Sequence, residues 1–431
     1  MSLDYAEFLA SKRRVVGAVG HDVAVADVHP LLHEWQARTV AWAVHKGRCA
    51  IWWDCGLGKT FAQLEWARLS GDRALIMAPL SVARQTVREA RKIDLDVRYV
   101  RHQDEAAGPG LFITNYEMAD HFDPSSYDAV VFDESSIVKH HTSQTRQRLC
   151  IDWAVVPRRL ACTATPAPND IAELTNHAEL LGIMPRVEML AAYFVHDDEG
   201  WRLKGHAVEP MWRWISSWAT TARGPADLGY PDDGYDLPPL RIHEERVDHV
   251  IDSPDQLFAT DIGGVGGRAS VRRQTMDARV ERAAKLASGT DDQWIVWCGL
   301  NDESRAITSS VPGAVELTGS DTPEHKAATI EAFQDGAIRV LVTKASIAGF
   351  GVNLQNCHRM AFVGMGDSYE AYYQAIRRCY RFGQTEPVEA HIVVSAIESQ
   401  IVANVRRKEQ QDRDRIGHLV RYSREELANV D

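Results

Sequence analysis

The stretch IWWDCGLGKTFAQLE, residues 51–65, decides how the rest of the chain is read. Gly58-Lys59-Thr60 closes a phosphate-binding loop, but the general pattern Gly-x-x-x-x-Gly-Lys-Ser/Thr has Trp53 where its first glycine belongs. The remaining chemistry fits. Gly56 and Gly58 let successive backbone N–H groups turn towards an anion at a helix N-terminus. Lys59 brings a point charge for β/γ-phosphates, and Thr60 brings a hydroxyl for Mg2+. RCAIWW before the loop reads as a strand and TFAQLEWARL after it as a helix, which is the context the motif needs.

The other half of an ATP site is an acidic pair at the end of a second strand. VVFDESS, residues 130–136, supplies it. Asp133 is placed to hold Mg2+, and Glu134 to orient and deprotonate an attacking water.

Further apolar, β-branched runs recur outward from these two. ALIMAP, LFITNY, DAVVFDES and RLACTAT lie in the N-terminal half; QWIVWCG, AVELTG, RVLVTK, HRMAFVG and EAHIVVS lie in the C-terminal half. Near-continuous apolar strands alternating with helix-length stretches mean parallel sheets covered on both faces. Two such sets predict two α/β lobes. Between them the chain is rich in tryptophan and then in Gly, Pro and Asp. The organisation expected is an N-terminal lobe over 1–180, a helical insertion and linker over 181–240, and a C-terminal lobe over 241–431. Trp212, Trp214 and Trp218 are spaced as one helix stripe packed into a core, with base stacking as the other reading.

Composition limits the function classes. At 431 residues the chain is long enough for two or three domains, and 45% hydrophobic with 25% charged residues is a globular profile. No apolar run approaches the roughly 18 residues that a bilayer span requires, so no membrane partner is expected. MSLDYAEFLASKRR has acids before its basic pair and no apolar core after it, which leads to a cytoplasmic expectation. The seven cysteines are scattered without paired metal spacing. A net charge of −12 argues against a nucleic-acid partner until its distribution is considered. Ten acids and two bases fall in 227–261, whereas six bases and two acids fall in 268–285. A basic track therefore fits on an acidic whole. Arg84, Arg88, Arg91 and Lys92 form a second basic stripe at helical spacing, and Arg268, Arg272 and Arg273 follow the GGVGG segment 263–267.

Taken together, the motifs resemble a superfamily two helicase-like ATPase of the SWI/SNF type, in a compact form similar to bacteriophage and prophage members, over nearly the whole chain. That family's loop usually reads Asp-Glu-Met-Gly-Leu-Gly-Lys-Thr, so WDCGLGKT matches it from Gly56 onward and Trp53 ceases to be an exception. LLHEWQARTVAW resembles the adenine-reading segment, with Gln36 as its amide. DESSIVK stands where relatives have Asp-Glu-Ala-His, with Ser136 in place of the histidine. TATPAPN resembles the segment that couples hydrolysis to motion, through Thr163 and Thr165. AGFGVNLQ and QAIRRCYRFGQ carry the C-terminal resemblance, in Gln374, Ala375, Arg378, Arg381, Gly383 and Gln384; Arg377 replaces the family's acid. Arg378 and Arg381, at i and i+3, are expected on one helix face.

The resemblance implies two RecA-like lobes, each a mostly parallel sheet covered by helices, with ATP and Mg2+ as cofactors. It implies catalytic roles for Lys59, Asp133, Glu134, Arg378 and Arg381, and metal contacts from Thr60 and Asp133. Nucleotide contacts are implied at Gln36, Gly56, Leu57, Gly58, Lys59, Thr60, Gly351 and Gln374, and coupling roles at Thr163, Thr165 and Gln384. Nucleic-acid contacts are implied at Ser81, Arg84, Thr114, Asn115, Thr318, Gly319, Lys344 and Asn353. The expected activity is ATP-driven translocation on double-stranded DNA, by a monomer on DNA, in a bacterial host cytoplasm if phage-encoded. Other readings stay open. One is strand separation on DNA or RNA, including single-stranded DNA. Another is a motor subunit for a nuclease or methyltransferase carried on another chain, in a restriction/modification or replication-recombination assembly. The last is an ATP-gated DNA clamp without hydrolysis, against which Glu134, Arg378 and Arg381 count.

Overall fold

The apolar runs become the strands of two parallel sheets, one in each of two units. The computed structural model describes residues 16–139, 143–198, 200–247, 274–348, 353–364, 368–395 and 399–427. Its units are Met1–Tyr235 with Gln411–Asp431, and Asp236–Gln410. Two α/β lobes with parallel sheets covered by helices are thus present, as the strand runs predict.

In the first unit the sheet strands are β1 (Arg48–Trp53), β2 (Arg73–Ala78), β3 (Val97–Tyr99), β4 (Gly110–Asn115), β5 (Ala129–Asp133) and β6 (Arg158–Cys162). A small antiparallel hairpin, β7 (Phe194–Asp197) with β8 (Gly200–Leu203), precedes β9 (Ala219–Ala222). The sheet order is β3-β4-β2-β5-β6-β1-β9. Alternation along β1 shows how both faces are covered: Cys49, Ile51 and Trp53 enter one core, while Ala50 and Trp52 enter the opposite one.

The tryptophan-rich stretch completes this unit. β9 pairs in parallel with β1, from Ala50↔Ala219 to Trp53↔Ala222. The helix Val208–Ser216 buries Trp212 and Trp214, and Trp218 follows fully buried, so the stripe is core packing. Leu419 and Tyr422, from the final helix Ser399–Leu427, join the same core. His418 stacks on Trp212 with ring planes 4° apart. The first unit therefore closes with residues from the far end of the chain.

The second unit holds β10 (Leu240–Val247), β11 (Trp294–Cys298), β12 (Ala314–Glu316), β13 (Val340–Thr343), β14 (Arg359–Val363) and β15 (Val388–Ser395), in the order β10-β15-β14-β11-β13-β12. One fully buried ion pair lies at the strand ends: Arg279 Nη1 donates to Glu303 Oε1 at 2.7 Å, both side chains being 0% exposed. Glu303 Oε2 also accepts the N–H groups of Gly299 and Leu300. Gly364, at φ +73°, has its missing side chain's place taken by these two residues, with Glu303 Oε1 2.4 Å from where a Cβ would stand. Among the described residues no helix is long and apolar enough to cross a membrane.

Breaking a buried pair from one side costs more than the pair contributes, because a charge stays behind in a low dielectric. Glu303→Ala is therefore expected to destabilise the second unit by about 3–5 kcal/mol. Denaturant unfolding followed by Trp294 and Trp297 fluorescence measures it; a loss under about 1 kcal/mol would mean that solvent or a neighbour compensates Arg279.

Candidate nucleotide site

Parallel pairing of β1 with β6, and of β6 with β5, sets three strand ends side by side. Ligands of open α/β sheets bind outside such carboxyl ends. The loop after β1, the acids ending β5 and the threonines after β6 all lie there.

The loop takes the conformation that its glycines permit. Gly56 (φ 87°) and Gly58 (φ 76°) are left-handed, and Gly58 caps the helix Lys59–Leu69. A Cβ on Gly58 would stand 2.5 Å from Gln36 Nε2. Gln36 is buried and holds the loop through its amide: Nε2 donates to Leu57 O at 2.9 Å, and Oε1 accepts His33 N–H at 2.8 Å. Lys59 Nζ donates to the carbonyls of Trp53 (2.8 Å) and Asp54 (3.0 Å). Its charge is thus curled into the loop and solvated by backbone dipoles. Thr60 is half-buried in the first helical turn, which carries no acid. That leaves the positive end of the helix uncompensated for an anion.

Asp133 is buried, and burial, with Glu134 next to it, pushes its carboxyl up from 3.8 to about 7, against the opposing pull of Gln63 and Lys59. Glu134 stands at φ 52°, one of only two non-glycine residues with positive φ among the described residues. Such a conformation costs on the order of 1–3 kcal/mol and is retained where the surroundings over-determine it. Its Oε2 is buried without a hydrogen-bond partner. A buried carboxylate short of counter-charge, an orphaned carboxylate oxygen and a nearby hydroxyl form a set of hard oxygen donors that fits Mg2+. Among the described residues no group of three or more His, Cys, Asp or Glu is arranged to hold a metal ion.

Thr163 and Thr165 are fully buried after β6; Thr165 N–H donates to Thr163 Oγ1 at 3.1 Å, and Thr165 Oγ1 has no partner. Arg415 of the final helix donates to the Ala167 carbonyl at 2.7 Å. His177, on the helix Leu174–Leu180, is in contact with residues of all three strand-end segments. No local pattern in the sequence marks it.

The structure separates the residues expected to touch nucleic acid. Arg84 and Arg88 are exposed on the helix Leu80–Ala90, with Arg91 and Lys92 exposed just beyond it; Ser81 lies on the same helix. Thr114 is fully buried, and the Asn115 amide is occupied by the Tyr99 hydroxyl (3.0 Å) and Glu117 (2.5 Å), so neither presents itself at a surface. They lie inward because β4 is covered on both faces. Thr318 and Lys344 follow the adjacent strands β12 and β13, and Lys326 Nζ donates to the Gly319 carbonyl at 2.7 Å. Asn353 is half-buried, folded on Gln355.

In the second unit, Gln374 and Arg378 are buried on the helix Tyr369–Cys379, with Arg378 Nη2 3.2 Å from Gln374 Oε1. That helix stops at Cys379, since Tyr380 (φ −86°, ψ 80°) leaves helical geometry. Arg381 therefore stands on the turn beyond and does not share the helix face that its spacing predicts. Gln384 is a buried staple. Its Nε2 reaches the carbonyls of Gln355, Cys357 and Cys379 at 3.0–3.2 Å, and its Oε1 accepts two backbone N–H groups. Gly351 lies outside the described residues, as do Arg268, Arg272 and Arg273.

The helicase conserved C-terminal domain family matches residues 279–383, a span that takes in Thr318, Lys344, Gln374, Arg378 and Arg381. No curated protein matches the sequence. Among solved structures, the Sulfolobus solfataricus SWI2/SNF2 ATPase core in complex with dsDNA is similar at 18% identity, over 95% of this chain and 99% of that chain, with a TM-score of 0.43. A likeness of that size carries no chemistry across.

Burial lowers His177 from 6.5 to about 4. The unfolded imidazole binds a proton over that interval while the folded one does not, so the unfolded state holds more protons and stability falls as pH drops from about 6.5 towards about 4. Above about 6.5 this contribution is flat. His177→Gln removes it: the Tm gap between wild type and variant is expected to narrow between about pH 7 and about pH 5. A gap independent of pH would show that His177 does not titrate this way.

Proposed function

We propose that this chain, helicase-like over residues 279–383, is an ATP-driven motor that couples hydrolysis of ATP to movement along double-stranded DNA. The observation that carries the reading is a glycine-turned, lysine-bearing loop after β1 and a buried acid pair at the end of β5, strand ends with only β6 between them. Backbone N–H groups of 56–60 would receive the phosphates, while Gln36 keeps the loop in shape from behind. Lys59 exchanges two backbone carbonyls for phosphate oxygens, so its charge moves from weak dipoles to a full anion. Mg2+, held by Thr60 and Asp133 together with the phosphates, would neutralise charge on the transferring group. Glu134 takes the proton from the attacking water; the orphaned oxygen is the acceptor that this step needs. Arg378 and Arg381 are the residues proposed to supply positive charge to the transition state.

A nucleic-acid backbone, proposed to be that of duplex DNA, is the partner that suits the exposed row Arg84, Arg88, Arg91 and Lys92. Arginines and lysines on one face grip phosphates without reading sequence. Binding should therefore be indifferent to base sequence and weaken steeply with salt, log K falling linearly in log[salt].

ATPase rates with duplex DNA, single-stranded DNA, RNA and no nucleic acid test the reading directly, with duplex DNA expected to stimulate most. Lys59→Ala should abolish turnover. Glu134→Gln should keep ATP binding, lose turnover and hold DNA more tightly when ATP is present. Turnover at the wild-type rate in Lys59→Ala would remove the site from this loop.

Arg378→Ala is expected to leave ATP affinity nearly unchanged and to lower the DNA-stimulated rate by roughly 10³-fold. Lysine should rescue it poorly, since a point charge does not match a planar fork on phosphate oxygens. Full stimulated turnover in both Arg378→Ala and Arg381→Ala would contradict an arginine contribution.

A further inference from the structure

His177 is fully buried and takes no part in the nucleotide chemistry above. Its Nε2 lies 3.0 Å from the Pro166 carbonyl. A carbonyl only accepts, so Nε2 carries the proton and Nδ1 is left as an acceptor. Nδ1 lies 3.5 Å from Ser135 Oγ, whose hydroxyl donates to it. Trp52, next to last in β1, meets the ring edge-on at 5.5 Å. The preceding residue, Asn176, donates to the Lys139 carbonyl at 2.8 Å, at the far end of the turn that begins with Ser135. One helical turn thus holds the acid segment at both ends and the threonine segment at Pro166. Ser136 is buried and is not the residue that makes this bridge.

We infer that His177 is a positioning residue that ties the acid segment 133–139 to the segment 163–167, carrying a shift at Asp133 and Glu134 to Thr163 and Thr165. The inference rests on the nucleotide reading above. A neutral imidazole suits the task. It offers a donor and an acceptor on opposite sides of a rigid ring and brings no charge into a dry interior. Thr165, two residues beyond Thr163 and one before Pro166, then moves with the carbonyl that the ring holds. Arg415, on the next carbonyl, fixes the other side of the link.

Hydrogen–deuterium exchange on the full chain, with and without a non-hydrolysable ATP analogue and Mg2+, tests it in wild type, His177→Phe, His177→Gln and Ser135→Ala. In wild type the analogue should slow exchange in both 133–139 and 163–169. In His177→Phe and Ser135→Ala, protection should persist at 133–139 and be lost at 163–169. Glutamine, with one donor and one acceptor near the same places, should restore it. In parallel, the ratio of DNA-stimulated to basal ATPase should fall about tenfold in His177→Phe at unchanged nucleotide affinity, the rate equivalent of one lost hydrogen bond. If His177→Phe does not fold, Ser135→Ala, which removes only a hydroxyl, decides the matter by the same outcomes. Nucleotide protection of 163–169 that survives in these variants overturns the inference. A wild-type chain that fails to bind the analogue in a separate titration overturns the nucleotide reading itself, and the inference with it.

Discussion

The register of β6 between its neighbours is the constraint on which the rest depends. Cys162 pairs with Ile51 of β1 on one side and with Asp133 of β5 on the other. Backbone hydrogen bonds thereby fix, to within one residue, where a phosphate loop, a carboxylate pair and two threonines leave the sheet. A slip of one residue would send every side chain of β6 to the opposite face. Leu160 and Cys162 belong to one core and Ala161 to the other, so such a slip is costly. The site is thus held by apolar packing that lies entirely outside it.

That frame accounts for the poor electrostatics inside. Asp133 is kept buried beside Glu134, and Glu134 is bent into a left-handed conformation with an unsatisfied oxygen. Lys59, the obvious counter-charge, is turned onto backbone carbonyls. Each feature costs stability in the protein alone, and under the proposed reading each would become favourable once phosphates and a divalent cation enter.

Surface charge follows a different logic. Several of the chain's acids are paired with bases. Asp227 pairs with Arg223, Glu245 with Arg282 and His391, and Glu389 with Arg241 and His243. Arg84, Arg88, Arg91 and Lys92 stand exposed on their own face. The net charge of −12 therefore says little about the field at any one face. Legibility in the sequence divided along similar lines. The loop, the acid pair and the tryptophan stripe were readable because each is a local pattern whose chemistry sits within a few residues. The burial of Thr114 was not readable because position in a motif does not reveal that a strand is covered on both sides. Arg381 was misjudged because the helix end at Tyr380 follows from backbone geometry rather than from spacing. The His177 contact with Ser135, the Arg415 contact and the return of the final helix to the first unit span 42 to 248 residues, and no local window along the chain contains both partners.

The most direct measurement is a crystal structure of the chain with a non-hydrolysable ATP analogue and Mg2+. Phosphates should lie on the N–H groups of residues 56–60, with Lys59 Nζ released from Trp53 and Asp54 onto phosphate oxygen, and Mg2+ between Thr60 and Asp133. Nucleotide bound elsewhere, or Lys59 still on its two carbonyls beside a bound nucleotide, would contradict the site described.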